Sequence, residues 1–138
     1  MIENKGCWKI FYINGKPIRR EEDLQVLFRL VWFGTILDVR REVDDGRGYA
    51  DYKISYGKDK TLVEFKLASN KKLKTQLQHQ LELYKLASDA EHGYKVILYF
   101  TTDELISLNR ILTELKMLKD PNIMLIDARV KASASRVR

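Results

Sequence analysis

The sequence predicts an α/β domain in which one mixed sheet is flanked by helices. Three observations predict it: an amphipathic helical pattern near the N-terminus, two β-rich runs joined by a turn signal, and an almost continuous apolar run later in the chain. Elements that alternate in this way pack as layers on a shared sheet. The length of 138 residues suits one domain. We expect residues 1–130 to form it and residues 131–138 to be a flexible basic tail.

The N-terminal half predicts a strand, a helix and three further strands. The run Cys7–Ile13 is rich in β-formers and ends at the turn signal Asn14-Gly15, so it predicts the first strand. A helix is predicted from about Glu21 to Phe33, because apolar residues recur at three- and four-residue steps and Gly34 supplies a C-cap. Three strands are predicted at residues 36–43, 49–56 and 61–67, the last two joined by a hairpin turn at residues 57–60.

The C-terminal half predicts two helices that alternate with two strands. Ser69 and Asn70 can cap a helix over residues 71–87. The apolar run at residues 94–100 is typical of a strand that is covered on both faces. A second long helix is predicted from residues 101–103 to a point before Pro121, followed by a buried strand at residues 122–127.

Composition narrows the classes of function. A net charge of +6 suggests a polyanionic partner such as nucleic acid. No apolar run reaches the ~18 residues that a membrane span needs, so no membrane partner is expected. Cys7 is the single cysteine, which predicts a reducing, cytoplasmic location. With His79 and His92 as the other soft ligands, a structural zinc site is not expected.

The predicted hairpin carries a charged group of functional interest. Glu64 and Lys66 are two positions apart in one strand, so their side chains share a face. Asp51 in the partner strand joins them in an even-length hairpin: one register places it opposite Lys66 and another opposite Glu64, and each keeps the three charges within ~8 Å. An odd-length hairpin would divide them between the two faces.

Two close carboxylates attract a hard divalent cation, and a lysine beside it can orient an attacking water and stabilise charge on a phosphate. The alternative for Asp51, Glu64 and Lys66 is an exposed hairpin face with an ordinary lysine–carboxylate pair. The spacing alone leaves both interpretations open.

The helix predicted after the hairpin adds polar groups to the same region. Gln80 lies near the middle of its apolar stripe and Tyr84 is one turn later on that face. A buried amide without partners costs ~1–3 kcal/mol, so Gln80 either bonds to backbone in the core or points to the carboxylates. Three lysines at the helix start would favour phosphate there or form a solvated basic turn: Lys71, Lys72 and Lys74.

These residues resemble the PD-(D/E)XK nuclease superfamily. Asp51 followed by Glu64-Phe65-Lys66 reads as its D…ExK core, and the segment from Gln80 to Tyr84 matches the QxxxY motif of its helicase-nuclease and resolvase-like branch. The predicted elements of residues 21–100 follow the order αβββαβ. The resemblance implies a restriction-endonuclease-like core, in which a central mixed sheet is flanked by helices.

The resemblance also implies roles for the motif residues. Asp51 and Glu64, with the Phe65 carbonyl, would bind Mg²⁺ or Mn²⁺. Lys66 would orient the water and offset transition-state charge. The two helix residues would position and support these groups: Gln80 and Tyr84.

Two further assignments depend on the predicted surroundings of the motif. Many relatives add a glutamate from the first helix, and Glu22 is the first candidate here, ahead of Glu21 and Glu42. Arg47 flanks the site and could bind phosphate, although a solvated position fits it equally well.

The sequence thus predicts a metal-dependent nuclease that hydrolyses phosphodiester bonds with a metal-activated water, in DNA more than in RNA. The alternative is a catalytically inactive nucleic-acid-binding or protein-docking module with the same fold. A homodimer, or attachment to a larger multidomain protein, is compatible with both.

Overall fold

The computed structural model describes residues 6–32, 38–44, 49–56, 59–86 and 93–131, with side chains at 6–30, 51–52, 54, 61–80 and 93–131. Predicted features that lie outside the described residues include the C-cap at Gly34, residues 57–58 of the hairpin turn, and the tail after residue 131.

The described residues form three α-helices and seven strands. The helices are α1 (Glu21–Trp32), α2 (Leu73–Leu86) and α3 (Thr102–Glu114). The strands are β1 (Tyr12–Ile13), β2 (Lys16–Pro17), β3 (Asp38–Asp44), β4 (Tyr49–Tyr56), β5 (Asp59–Leu67), β6 (Gly93–Tyr99) and β7 (Ile123–Asp127). The order from α1 onward agrees with the prediction.

The five longer strands form one mixed sheet in the order β3-β4-β5-β6-β7. Strands β3, β4 and β5 are antiparallel neighbours, whereas β5, β6 and β7 are parallel ones. The α/β class and the mixed sheet are therefore confirmed.

The prediction of a first strand at Cys7–Ile13 is wrong over most of its length. Cys7–Phe11 forms a 3-10 helix, and only Tyr12–Ile13 is extended, in a small hairpin with Lys16–Pro17. Lys9 and Ile10 are both exposed, so this β-rich run lacks the alternation of a half-buried strand. The hairpin closes at Asn14 and Gly15, which both adopt positive φ angles, of 50° and 74°.

The helix α3 ends before Pro121, as predicted, and hydrogen bonds define both of its ends. At its N-terminus Thr101 Oγ1 accepts a hydrogen bond of 3.1 Å from the Glu104 N–H. At its C-terminus Lys116 adopts a φ of 58°, and the Met117 N–H returns to the Leu112 carbonyl at 2.7 Å. This is a Schellman motif, which satisfies the last carbonyls and stops the helix well before Pro121.

Each face of the sheet has its own core. On one face Leu24 of α1 packs with Tyr52, Phe65 and other buried side chains of the strands. On the other face α2 and α3 pack against β6 in a cluster that includes Leu73, Leu77, Ile97, Leu108 and Leu112. The helices α1 and α2 therefore lie on opposite faces, with β5 between them.

None of the helices within the described ranges is long and apolar enough to cross a membrane.

Candidate active site

The register of β4 and β5 determines where Asp51 lies. The paired residues run from Tyr56–Asp59 to Tyr52–Val63. Continued by one residue, this register places Asp51 opposite Glu64, which is one of the even registers that the sequence allowed. Two residues, 57 and 58, separate the paired ends of the hairpin. The charged residues therefore start from neighbouring positions on adjacent strands.

Next to the last paired residues, Tyr52 and Val63, the Asp51 side chain bonds to the β5 backbone. Its Oδ2 accepts a hydrogen bond of 2.5 Å from the Phe65 N–H. The N–H and C=O of one strand residue point to the same side, so the Phe65 carbonyl also faces this gap between the strands. The second carboxylate oxygen of Asp51, Oδ1, accepts a hydrogen bond of 2.7 Å from Gln25 Nε2. Both strands and α1 thus fix the position of this carboxylate.

The Asp51 carboxyl has a pKa above its ordinary value. Burial is the main cause, because the charged form loses contact with water. The hydrogen bond from the Phe65 N–H and the charge of Lys66 act in the opposite direction, while Glu64 and Glu21 add to the increase. A cation placed here would lower this pKa by favouring the charged carboxylate.

Glu64 is held between α2 and Lys66. Its Oε2 accepts a hydrogen bond from Gln80 Nε2 and lies 3.9 Å from Lys66 Nζ. The other amide atom, Gln80 Oε1, is buried and has no hydrogen-bond partner among the described residues. Gln80 therefore points to the carboxylates, as one of the two sequence interpretations proposed, and it keeps an unused acceptor there.

The acid that α1 contributes is Glu21 and not the preferred candidate Glu22. Glu21 Oε1 accepts hydrogen bonds from the Leu67 N–H at 3.3 Å and from Asn70 Nδ2 at 3.0 Å. Its Oε2 lies 4.0 Å from Lys66 Nζ.

Glu22 has a side chain that is 74% exposed and lies 4.0 Å from Arg20. Consecutive helix residues differ by about 100° in direction, so Glu21 and Glu22 cannot both face β5. Placing Glu22 at the site was therefore wrong. The side chain of the third candidate, Glu42, lies outside the described side chains.

Two residues near the site were not predicted from the sequence, Gln25 and Lys95. Gln25 is 8% exposed, and besides holding Asp51 it accepts a hydrogen bond at its carbonyl from the Tyr52 hydroxyl. Its position four residues after Glu21, on the same helix face, was the available signal. Lys95 is 5% exposed and pairs with Glu64 in the β5–β6 register.

Lys95 adds a buried ammonium group beside Glu64. Burial lowers its pKa, while the charges of Glu64 and Asp120 raise it and that of Lys66 lowers it further. A single lysine inside the apolar run at 94–100 was a signal for a buried charge.

The predicted phosphate-binding residues are more scattered. Lys71 and Lys72 are exposed before the first turn of α2, where Asn70 Oδ1 accepts a hydrogen bond of 2.9 Å from the Lys72 N–H. Lys74 is directed to α3, with its Nζ 2.5 Å from Glu114 Oε2. Arg47 lies outside the described residues. Tyr84 belongs to α2, but its side chain is outside the described ones.

The residues present fit a hard divalent cation. Three carboxylates, of Glu21, Asp51 and Glu64, lie around two ammonium groups, so negative charge is in excess. No three His, Cys, Asp or Glu side chains in the described part of the chain form a group that could hold one ion. Mg²⁺ is commonly bound through one or two carboxylates and keeps several waters, so it does not require such a group. The buried Gln80 Oε1 is an acceptor suited to a water of that kind.

Comparisons with known proteins place the chain in a family. No curated protein and no solved structure is significantly similar to it. The model of one family, described as a domain of unknown function (DUF8371), matches residues 1–102, which is most of the chain and includes every motif residue discussed above. The chain therefore belongs to the DUF8371 family.

Proposed function

We propose that this chain is a metal-dependent nuclease domain with a restriction-endonuclease-like core. It hydrolyses phosphodiester bonds in nucleic acid, with DNA as the preferred substrate over RNA. One observation carries the proposal: Asp51, Glu64 and Lys66 are joined at the β4–β5 gap by Glu21 and by Gln80. The element order from α1 to β6 supports the fold, since it is the αβββαβ order of the PD-(D/E)XK superfamily.

The ion would be held by Asp51, Glu64 and the Phe65 carbonyl. A bound Mg²⁺ or Mn²⁺ would lower the pKa of a water and offset the charge of the phosphate. Lys66 Nζ, which is 3.9 Å from Glu64 and 4.0 Å from Glu21, would donate hydrogen bonds to the attacking water and to the phosphate oxygen that gains charge. Gln80 would fix Glu64 through its Nε2 and accept from a water through its Oε1.

Asp51→Asn tests the proposal with little structural disturbance. The asparagine Oδ1 can accept from the Phe65 N–H and its Nδ2 can donate to Gln25, provided that the Gln25 amide reverses. We expect cleavage to fall by about 10²–10³-fold, because a negatively charged ligand is lost. Single-stranded, duplex and branched DNA and RNA are assayed with Mg²⁺, with Mn²⁺ and with EDTA, and thermal melting verifies the fold.

Asp103→Asn is the matched control, because Asp103 is exposed on α3. It should cleave like the unaltered chain. A cleavage rate in pure Asp51→Asn protein within about tenfold of the unaltered chain, or cleavage in EDTA, would contradict the proposal.

One observation favours the alternative, an inactive nucleic-acid-binding or protein-docking module. Both carboxylate oxygens of Asp51 already accept hydrogen bonds from protein donors. If no ion binds, millimolar Mn²⁺ will leave the melting temperature unchanged. A nuclease site is expected to bind Mn²⁺. If the added Mn²⁺ is 100 times the Kd, the free energy of unfolding increases by about 2.7 kcal/mol, and the melting temperature rises by several degrees. Mg²⁺ and Ca²⁺ titrations test whether the effect is specific.

A further inference from the structure

A polar groove of about 450 Å³ opens beside the candidate active site. It lies between the start of α1 and the turn after β5. It is lined by two arginines, two glutamates and four uncharged residues: Arg19, Arg20, Glu21, Glu22, Gln25, Leu67, Ser69 and Asn70.

The groove adjoins the site through two shared residues. Two of its lining residues, Glu21 and Gln25, are the same ones that contact the catalytic groups. Glu21 Oε2 is 4.0 Å from Lys66 Nζ, and Gln25 Nε2 is 2.7 Å from Asp51 Oδ1. An extended polymer that occupied the groove would therefore lie next to the two residues that contact Lys66 and Asp51.

The charges that line the groove are not equally available to a ligand. Arg20 is held by Asp23, with Nη2–Oδ1 and Nε–Oδ2 distances of 2.9 and 3.3 Å. Glu21 is held by the Leu67 N–H and by Asn70. Arg19 forms no hydrogen bond or ion pair with another residue of the described ranges. Among the described contacts, the Arg19 guanidinium is thus the lining cation that no carboxylate pairs with.

We propose that this groove binds the phosphodiester backbone of a nucleic-acid strand, with Arg19 as the phosphate contact, and the proposal rests on the nuclease function proposed above. Arginine binds phosphate oxygens through two parallel hydrogen bonds, and the Ser69 hydroxyl adds a neutral donor. None of the described lining residues is aromatic, so the groove offers no stacking surface for bases. Recognition here is of the backbone and does not depend on base sequence.

The test measures binding without cleavage. Fluorescence anisotropy of fluorescein-labelled dT20 and dA20 is followed in EDTA with the full chain and with Arg19→Ala. We expect Arg19→Ala to weaken the binding of both oligonucleotides by about 3–10-fold. It should also reduce the slope of log K against log salt by about 0.7, which is the value for one phosphate contact on a single strand. Arg19→Lys retains the charge but not the two parallel hydrogen bonds, so it should keep the salt slope of the unaltered chain and bind with an affinity between that of the unaltered chain and that of Arg19→Ala.

Arg29→Ala is the matched control, because Arg29 is exposed on the same helix and does not line the groove. It should change the Kd by less than twofold. Equal effects of Arg19→Ala and Arg29→Ala, a loss confined to one oligonucleotide, or an absence of binding by the unaltered chain would each overturn the proposal. A chain that binds through Arg19 but never cleaves would refute the nuclease function and leave this groove assigned. If the chain cleaves nucleic acid but Arg19→Ala does not weaken binding, the nuclease function stands and the groove assignment is refuted.

Discussion

Asp51 and Glu21 both complete the hydrogen bonding of β5 with side-chain atoms. Their carboxylates accept from the N–H groups of Phe65 and Leu67, two positions apart and on the same side of the strand. An unpaired buried N–H costs about 1–3 kcal/mol, so these acids contribute to stability before any ligand is bound. At the scale of single residues, structure and chemistry therefore depend on the same atoms.

Gln25→Ala tests how far Asp51 depends on its helix partner. The substitution removes the 2.7 Å hydrogen bond to Asp51 Oδ1. We expect cleavage to fall about 10–100-fold, the usual effect of removing a group that orients a metal ligand, and stability to fall by about 1 kcal/mol. The values of kcat and KM are measured in an Mn²⁺ titration, since a positioning role weakens apparent Mn²⁺ affinity, whereas a purely structural role does not.

The control for this change is Gln78→Ala, because Gln78 is exposed on α2. It should affect neither kcat nor the Mn²⁺ dependence. Unaltered Mn²⁺ dependence in Gln25→Ala would show that Asp51 is positioned by β5 alone.

At the scale of elements, α2 combines core packing with the site. Leu73 and Leu77 are fully buried one turn apart, against Ile97 of β6. Gln80, the next residue on this side of the helix, reaches Glu64. The position of the amide therefore depends on how the preceding turns are packed.

Leu77→Ala should show this dependence. We expect a loss of about 2–4 kcal/mol in the free energy of unfolding, from lost apolar contact and the cavity left behind. Cleavage at a temperature where the variant stays folded should also decline, because the turn that carries Gln80 is less well fixed. Urea denaturation and initial rates measure the two effects.

Thr75→Ala, at an exposed position on the same helix, is the control and should change neither value appreciably. A Leu77→Ala protein with full stability would contradict the packing described here.

At the scale of the whole molecule, groups from both faces of the sheet meet at one gap. The helix α1 packs on one face and supplies Glu21 and Gln25, while α2 packs on the other and supplies Gln80. The gap between β4 and β5 lets them reach the same carboxylates. The parallel strands β6 and β7 lie on the far side of β5 and end in a separate charged cluster around Asp127.

That cluster predicts a pH dependence of stability. Asp127 accepts hydrogen bonds from Arg129 Nε at 2.9 Å and Nη2 at 2.8 Å, and the Arg129 side chain is the main cause that lowers the Asp127 pKa to about 2. A lowered pKa stabilises the fold above the unfolded pKa of about 3.9, and this contribution is lost as pH falls towards 2. We expect the free energy of unfolding to fall by about 1–2 kcal/mol between pH 5 and pH 2 as this contribution is lost.

Asp127→Asn should lack this part of the pH dependence when urea denaturation is compared at the two pH values. Asp103→Asn, which changes an exposed carboxylate, should retain it. Identical curves for Asp127→Asn and the unaltered chain would contradict the assignment.

The sequence predicted the elements better than the details of the site. The helix bounds followed from periodicity, so α1 was placed to within a residue. The strand register stayed open because loop composition allowed several even hairpins, and only the pairing of Tyr52 with Val63 decides between them. Choosing between Glu21 and Glu22 needed the rotation of α1 about its axis, which depends on packing. Gln25 and Lys95 were missed since each looks ordinary until its neighbours are known.

The dual use of Asp51 and Glu21 bears on how relatives are interpreted. A relative that lacked the proposed hydrolysis would still benefit from both acids, since each carboxylate accepts a hydrogen bond from an N–H group of β5. Their persistence across a lineage is therefore poor proof of activity. Among the described contacts Lys66 bonds to no backbone group. A relative with another residue at this position is therefore a better candidate for loss of the proposed activity than one identified by its acids.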